Sequence, residues 1–303
     1  MNSDKSDEDT EEWQVAPVQP EALWPETGSS RVVVDLAAVS DRGLVRENNQ
    51  DHYLVVRIRR SMERLLTNMP VPAGADEVGY GFVVADGMGG PIAGDVASQM
   101  AISTLINLAL QDPDWVFGIS PEDTSRRVRR LAKRWALVQE AIRARGDSEP
   151  ALGQMGTTMI AAVSLGTRLV IGHVGDSRAY IFRRGQLHQL TRDHTLVQTM
   201  MDLGELTPEE AATHPRRHLL MRSFNASGDT TLGEFQQAML VDGDQLLLCT
   251  DGLTDMVDTE VISSVLSRAA SAAEACQVLL AAALKNGGKD NVTIALARYR
   301  FPQ

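Results

Sequence analysis

Apolar positions along the chain change period several times, and each change marks an element. Val32 to Val39 is a β-branched run that predicts a first strand, Asp51 to Arg57 a second and Tyr80 to Ala85 a third. Between the last two, Arg59 to Gly79 carries a short helical pattern (Ser61 to Leu66) and then Pro70, Pro72 and Gly74, which predicts an excursion from the sheet. Ala93 to Leu110 repeats Val96, Met100, Ile102, Leu105, Ile106 and Leu110 at helical spacing. A second helix opens at Pro121, with Glu122 and Asp123 in its first turn. It runs to about Arg145 with Val128, Leu131, Trp135, Val138 and Ile142 as its stripe.

From Thr157 the period returns to two. Thr157 to Leu165, Arg168 to Val174 and Arg178 to Phe182 are separated by tight turns, which predicts an antiparallel meander. A polar stretch follows, with short helical patterns at His194 to Leu203 and Pro208 to Ala212. Phe235 to Val241 and Gln245 to Thr250 read as strands, Glu260 to Ser267 and Ala272 to Leu284 as helices, and Val292 to Ala297 as a last strand. Blocks of strands alternating with pairs of helices exclude a parallel doubly wound sheet. They predict α+β layering, with antiparallel sheets packed together and helix pairs outside.

Charge divides the chain. Residues 1–30 hold eight acidic residues against Lys5 alone, a net -7, which leaves -4 of the formal -11 for the rest. With Pro17, Pro20 and Pro25 and no periodic pattern, this stretch reads as a disordered acidic tail, so one catalytic domain is expected over residues 31–300. The charge does not suggest nucleic-acid binding. No apolar run approaches the roughly 18 residues that a span requires, and no basic-then-apolar leader is present, so a cytoplasmic location without membrane contact is expected. Cys249 and Cys276 both lie in apolar segments and read as packed thiols; neither precedes an Arg in a phosphate-cradling loop.

Candidate chemistry centres on Val83-Val84-Ala85-Asp86-Gly87-Met88-Gly89-Gly90, where an apolar strand stops at one carboxylate and glycines follow. Alone, this is equally a tight strand-to-helix turn with Asp86 as a cap. The arrangement recurs, however, at Asp251 and Asp290, and Asp51 and Asp176 also adjoin apolar strands. An unpaired ionised carboxylate beside a core is costly. Five of them with few basic neighbours are better accounted for by shared cations, and an all-oxygen set favours Mg²⁺ or Mn²⁺ over Zn²⁺. No Gly-x-Ser-x-Gly elbow, nucleotidase-type phosphate loop or His-Glu-x-x-His is present.

The segment Ser40-Asp41-Arg42-Gly43-Leu44-Val45-Arg46-Glu47-Asn48-Asn49-Gln50-Asp51 resembles the opening motif of the metal-dependent protein phosphatases of type 2C. So do Asp86-Gly87-Met88-Gly89-Gly90, Gly156-Thr157-Thr158, Gly175-Asp176-Ser177-Arg178, Asp251-Gly252-Leu253 and Gly288-Lys289-Asp290-Asn291, in the family's order from about Val32 to Tyr299. The resemblance implies a four-layer αββα sandwich with two antiparallel sheets, a two-metal Mn²⁺ or Mg²⁺ site at one edge, and hydrolysis of phosphoserine and phosphothreonine in proteins. It implies that Asp86 bridges both metals, that Gly87 lends its carbonyl, and that Asp251 and Asp290 complete the first metal's sphere. Asp51 would hold waters around the second, Asp176 with Asp251 a third, weaker metal, and Arg46 the substrate phosphate.

Two positions depart from the family's pattern: Gln50 stands where many members have Glu, and Met88 where animal members have a His. By position, the polar stretch from about 194 to 228 matches the flap of bacterial members, with Arg216, Arg217 and His218 facing a protein substrate. His194, in Arg192-Asp193-His194-Thr195, reads as a cap or turn residue. Arg126, Arg127, Arg129, Arg130, Lys133 and Arg134 read as a solvated helix face. Expected partners are phosphorylated proteins, among them Ser/Thr kinases and their substrates, with the chain a monomer. Two alternatives stay open: a pseudophosphatase that binds phosphoproteins, and a phosphatase of small phosphorylated metabolites.

Overall fold

A computed structural model describes residues 32–59, 78–90, 92–111, 124–228 and 233–301. The acidic tail, the Ser61 to Leu66 pattern and the Pro121 helix start lie outside them. Among the described residues two five-stranded antiparallel sheets face each other. One runs β1 (Val33–Asp41), β13 (Val292–Arg300), β12 (Gln245–Cys249), β8 (Arg178–Arg183), β9 (Gln186–Gln189). The other runs β11 (Glu234–Met239), β7 (Arg168–Val174), β6 (Met159–Leu165), β3 (Val78–Ala85), β2 (His52–Arg59).

Strand periodicity builds the layers. In β3, Tyr80, Phe82 and Val84 point into the core between the sheets, while Val83 and Ala85 point the other way. In β13, Ala295, Ala297 and Tyr299 face the same inter-sheet core, and Val292, Ile294 and Leu296 a third core. Strands covered on both faces must be apolar at every position, which is why these runs show no polar alternation. The outer cores are closed by α1 (Ala93–Gln111) and α2 (Thr124–Ser148) on one side, and by α6 (Thr259–Arg268) and α7 (Ala272–Lys285) on the other. The expected four-layer αββα sandwich is therefore what the chain forms. Trp135 of α2 anchors its layer, 1% exposed and edge-on to Phe235 at 5.4 Å; truncation to Ala would cost about 3–5 kcal/mol.

Two expectations need correction. Strands 157–165, 168–174 and 178–182 do not form a meander. β6 and β7 pair, but β8 joins the opposite sheet beside β12, so the Gly175-Asp176-Ser177 turn is a crossing between sheets. Gly175 takes φ +103°, and a Cβ there would lie 2.5 Å from Thr158 Cβ, so the sharp exit requires glycine. Arg134 is buried, unlike the exposed Arg129, Arg130 and Lys133 on the same helix; the side chains of Arg126 and Arg127 lie outside the described residues.

The polar stretch after β9 holds α3 (Leu196–Asp202), capped by Thr195, and α4 (Pro208–Thr213), opened by a Thr207–Glu210 capping box. No helix among the described residues is long and apolar enough to cross a membrane.

Candidate metal centre

Antiparallel pairing brings the five aspartates to one end of the sandwich. β3 ends at Ala85, so Asp86 follows it directly, and the His52–Ala85 pair places Asp51 alongside. β12 delivers Asp251 through Thr250, and its neighbour β13 starts just after Asp290 and Asn291. Asp176 occupies the crossing turn between β7 and β8. Thus two strand starts, two strand ends and one crossover supply carboxylates from both sheets to one edge.

The loops are held by side chains to which the sequence assigns no role. Asn291 Nδ2 donates to the carbonyls of Arg42 (2.9 Å) and Asn48 (2.8 Å), and its Oδ1 accepts from Gln50 N (2.8 Å). One amide therefore pins both ends of the loop that carries Arg46. Thr250 Oγ1 donates to Asp51 Oδ2 at 2.9 Å. Thr157 Oγ1 and Thr158 N both donate to the Asp86 carbonyl, at 2.8 and 2.9 Å. Each lies in or beside a quoted motif, but its partner is more than 70 residues away. Gly87 must lack a side chain: a Cβ would lie 2.1 Å from the Gly94 carbonyl oxygen and 2.8 Å from that of Gln50. Gln50 itself turns its amide to the Gly90 carbonyl.

Asp86, Asp176, Asp251 and Asp290 line a single cavity of about 690 Å³, with Arg46, Met88 and Lys289 on its walls. Arg217, His218 and Leu220 reach it from the stretch after β9, whereas Arg216 does not. Asp255, which the sequence reading missed, also lines it, with His218 Nε2 3.5 Å from its Oδ2. Arg46 Nη2 donates to Asp290 Oδ2 at 2.5 Å, and Asn291 N to Asp290 Oδ1 at 2.8 Å.

Electrostatically the cluster is frustrated. Burial, and then the charges of neighbouring carboxylates, pushes Asp86 and Asp251 well above the usual carboxylate range. Asp51 and Asp176 are both held up at about 7, again by burial first. Asp51 Oδ1 and Asp251 Oδ1 are buried with no hydrogen-bond partner. Asp251 lines the cavity and Asp51 does not, but Asp51 is close enough to Asp86 for its charge to be felt there. Buried carboxylate oxygens without donors fit hard divalent cations, which take carboxylate, carbonyl and water oxygens and offset the repulsion that the fold leaves.

Comparison with known proteins agrees with this chemistry. The protein phosphatase 2C family profile matches residues 73–286. The serine/threonine protein phosphatase PstP of Mycobacterium tuberculosis is 40% identical over 269 residues, which cover 88% of this chain and 45% of PstP, so this chain spans less than half that relative's length. The serine/threonine phosphatase stp of Listeria monocytogenes is 35% identical over 268 residues, covering 87% of this chain and 95% of stp. Among solved structures, M. tuberculosis PstP/Ppp superposes with a TM-score of 0.72 at 38% identity, over 88% of this chain and 99% of that one. The PstP catalytic domain in complex with two manganese ions gives 0.70 at 36% identity, over 89% and 100%. This chain belongs to the protein phosphatase 2C family.

Proposed function

We propose that the chain hydrolyses phosphoserine and phosphothreonine in proteins at a binuclear Mn²⁺ or Mg²⁺ centre, within a catalytic domain spanning residues 31–300. The observation that carries this reading is the convergence of Asp86, Asp176, Asp251 and Asp290 with Arg46 on one cavity, with a buried Asp251 oxygen that lacks a donor. Asp86 would be shared between the cations, with the Gly87 carbonyl beside it; Asp251 and Asp290 would serve one ion and Asp51 the waters of the other, and Asp176 with Asp251 would hold a further, weaker ion. When bound, the cations supply a hydroxide at neutral pH and offset charge on the phosphoryl group.

The chain's own residues do the rest. Arg46, held by the Asn291-pinned loop, presents a guanidinium fork to the phosphate oxygens. Met88 brings no proton to the site, so none is donated to the leaving group from that position. The stretch 194–228 acts as a flap whose Arg217, His218 and Leu220 meet the protein around the phosphorylated residue. Substrates on this reading are Ser/Thr kinases and their targets in the cytoplasm, and the enzyme works as a monomer.

The test is phosphate release from a phosphothreonine peptide with Mn²⁺ and with EDTA. Release with Mn²⁺ that stops with chelator is expected. Tight peptide binding without release would favour a binding module instead.

A further inference from the structure

We propose that His194 is a positioning residue for phosphoprotein hydrolysis, tying the root of the 194–221 excursion to the Gly175–Asp176 turn on one side and to Glu234 on the other. This rests on the phosphatase reading and concerns a residue remote from the reacting atoms.

The root is closed by backbone pairing. Met221 N donates to the His194 carbonyl (2.8 Å), Leu196 N to that of Leu219 (2.9 Å), and Thr195 bridges Leu220. Of the residues that reach the cavity, Leu220 is part of this closure, and Arg217 and His218 come just before it in the chain. His194 is only 7% exposed and grips Gly175 twice: its N–H donates to the Gly175 carbonyl (2.9 Å), and its Nδ1 accepts from Gly175 N (3.1 Å). Asp176 is the next residue. The other ring nitrogen, Nε2, lies 3.2 Å from Glu234 Oε1, and Arg222, at the end of the excursion, reaches the same carboxylate oxygen at 3.2 Å. One imidazole thus touches the start of the excursion, the carboxylate that its end also holds, and the turn carrying a cavity aspartate.

The same hydrogen bonds decide against a second metal site here. His173, His194 and Glu234 offer ligand atoms within 4.8 Å of one another, a spacing a transition metal could use. Accepting from Gly175 leaves His194 Nδ1 with its lone pair, so the proton of the neutral ring sits on Nε2, the nitrogen a metal would need. His173, stacked on His194 at 4.6 Å, donates from Nε2 to the Arg192 carbonyl at 2.8 Å and keeps a lone pair on Nδ1, so the tautomer of His194 alone argues against a metal. The pair is a hydrogen-bonded support.

The experiment uses the full-length protein with His194→Ala, His194→Asn and Glu234→Gln. The Asn amide oxygen can replace Nδ1 as acceptor for Gly175 while losing Glu234; Glu234→Gln removes the charge and leaves the Gly175 contact. The readouts are kcat/KM on a phosphothreonine peptide and on p-nitrophenyl phosphate, with amide hydrogen exchange over residues 196–220 in the metal-free protein. His194→Ala is expected to lose about tenfold or more on the peptide, the size typical for an outer supporting partner, and to speed exchange across 196–220. His194→Asn should recover the aryl phosphate rate and leave the peptide rate low, and Glu234→Gln, on a half-exposed side chain that the fold tolerates, should match it. The proposal is overturned if the ratio of the two substrates' kcat/KM stays at the wild-type value in Glu234→Gln and His194→Asn, or if exchange over 196–220 is unaltered. Wild-type protein inactive on both substrates would instead overturn the phosphatase reading, and the exchange data would still decide the positioning role.

Discussion

On one side of the Gly175 turn lie Asp51, Asp86, Asp176, Asp251 and Asp290; on the other lie His173, His194 and Glu234. Both groups are largely buried and ionisable, and β7 links them, carrying His173 and running into the turn that holds Asp176. The first holds like charges, the pKa values of Asp51, Asp86, Asp176 and Asp251 are driven up, and two of its carboxylate oxygens lack donors. The second sets two imidazole rings, that of His173 kept uncharged by burial, beside a carboxylate held down at about 2, chiefly by its contact with His194. Two of its four ring nitrogens meet backbone partners; of the other two, His194 Nε2 lies 3.2 Å from Glu234 Oε1, and His173 Nδ1, which has no hydrogen-bond partner, belongs to a ring that burial keeps uncharged. An unmet neutral acceptor costs about 1–3 kcal/mol, an uncompensated buried charge several. Burial alone therefore does not mark a ligand site; the sign of the neighbouring charges and the missing donors do.

The largest test of that contrast is Asp86→Asn or Asp251→Asn. Turnover should fall by more than the about 100-fold that losing an outer partner can cost, and the metal-free variant should melt above metal-free wild type, since a repelling charge is gone. Full activity of either variant after EDTA treatment would sink the two-metal mechanism. Next in size is the response to Mn²⁺. At a hundred times its Kd the ion should add about 2.7 kcal/mol to wild-type stability. Glu234→Gln should keep this gain in thermal melts and Asp251→Asn should lose most of it; the reverse pattern would exchange the roles of the two clusters.

Opposite pH signs follow. Burial and then His194 depress His173 from 6.5 to about 4, so the unfolded chain takes up a proton that the native ring refuses. This contribution is present above about pH 6.5 and is lost as pH falls towards 4. Asp51 and Asp176, raised from 3.8 to about 7, act the other way: the native state holds their protons, and stability is lost as pH rises through about 7. In metal-free protein, His173→Asn should remove an acid-side loss on the order of 2 kcal/mol, leaving stability that climbs as pH drops from 7 to 5. Urea unfolding at three pH values reads this directly, and an unchanged slope would mean that His173 is not held neutral. The smallest effect is Arg217→Ala: about fivefold on a phosphopeptide, the scale of one exposed charge contact, and less on p-nitrophenyl phosphate. Equal losses on both would take Arg217 away from protein recognition.

Much of this was legible in the chain. The helices announced themselves through stripes such as Leu131, Trp135, Val138 and Ile142, and all five aspartates sit at the abrupt ends of apolar runs or in the turn between two of them. The crossing at Gly175-Asp176-Ser177 was not, because a tight turn looks the same whether the next strand pairs back or leaves for another sheet. Two-residue strands such as β4 (Gly87–Met88), β5 (Gly156–Thr157) and β10 (Phe224–Asn225) are too short to carry a period. Nor can local pattern reveal Asn291 fastening a loop some 240 residues earlier, or Glu234 meeting His194 across 40 positions.

The closed root of the 194–221 excursion separates recognition from architecture. Because its ends meet, the segment between adds no span to the frame, and insertions there leave the spacing of the flanking strands unchanged. Each doubling of such a closed loop costs only about 0.6 kcal/mol in chain entropy. The aspartate edge, by contrast, is wired into strands whose register cannot slip by one residue without turning a core face outward. Sequence drift can therefore remodel the residues that overhang the cavity while the aspartate edge beneath stays fixed.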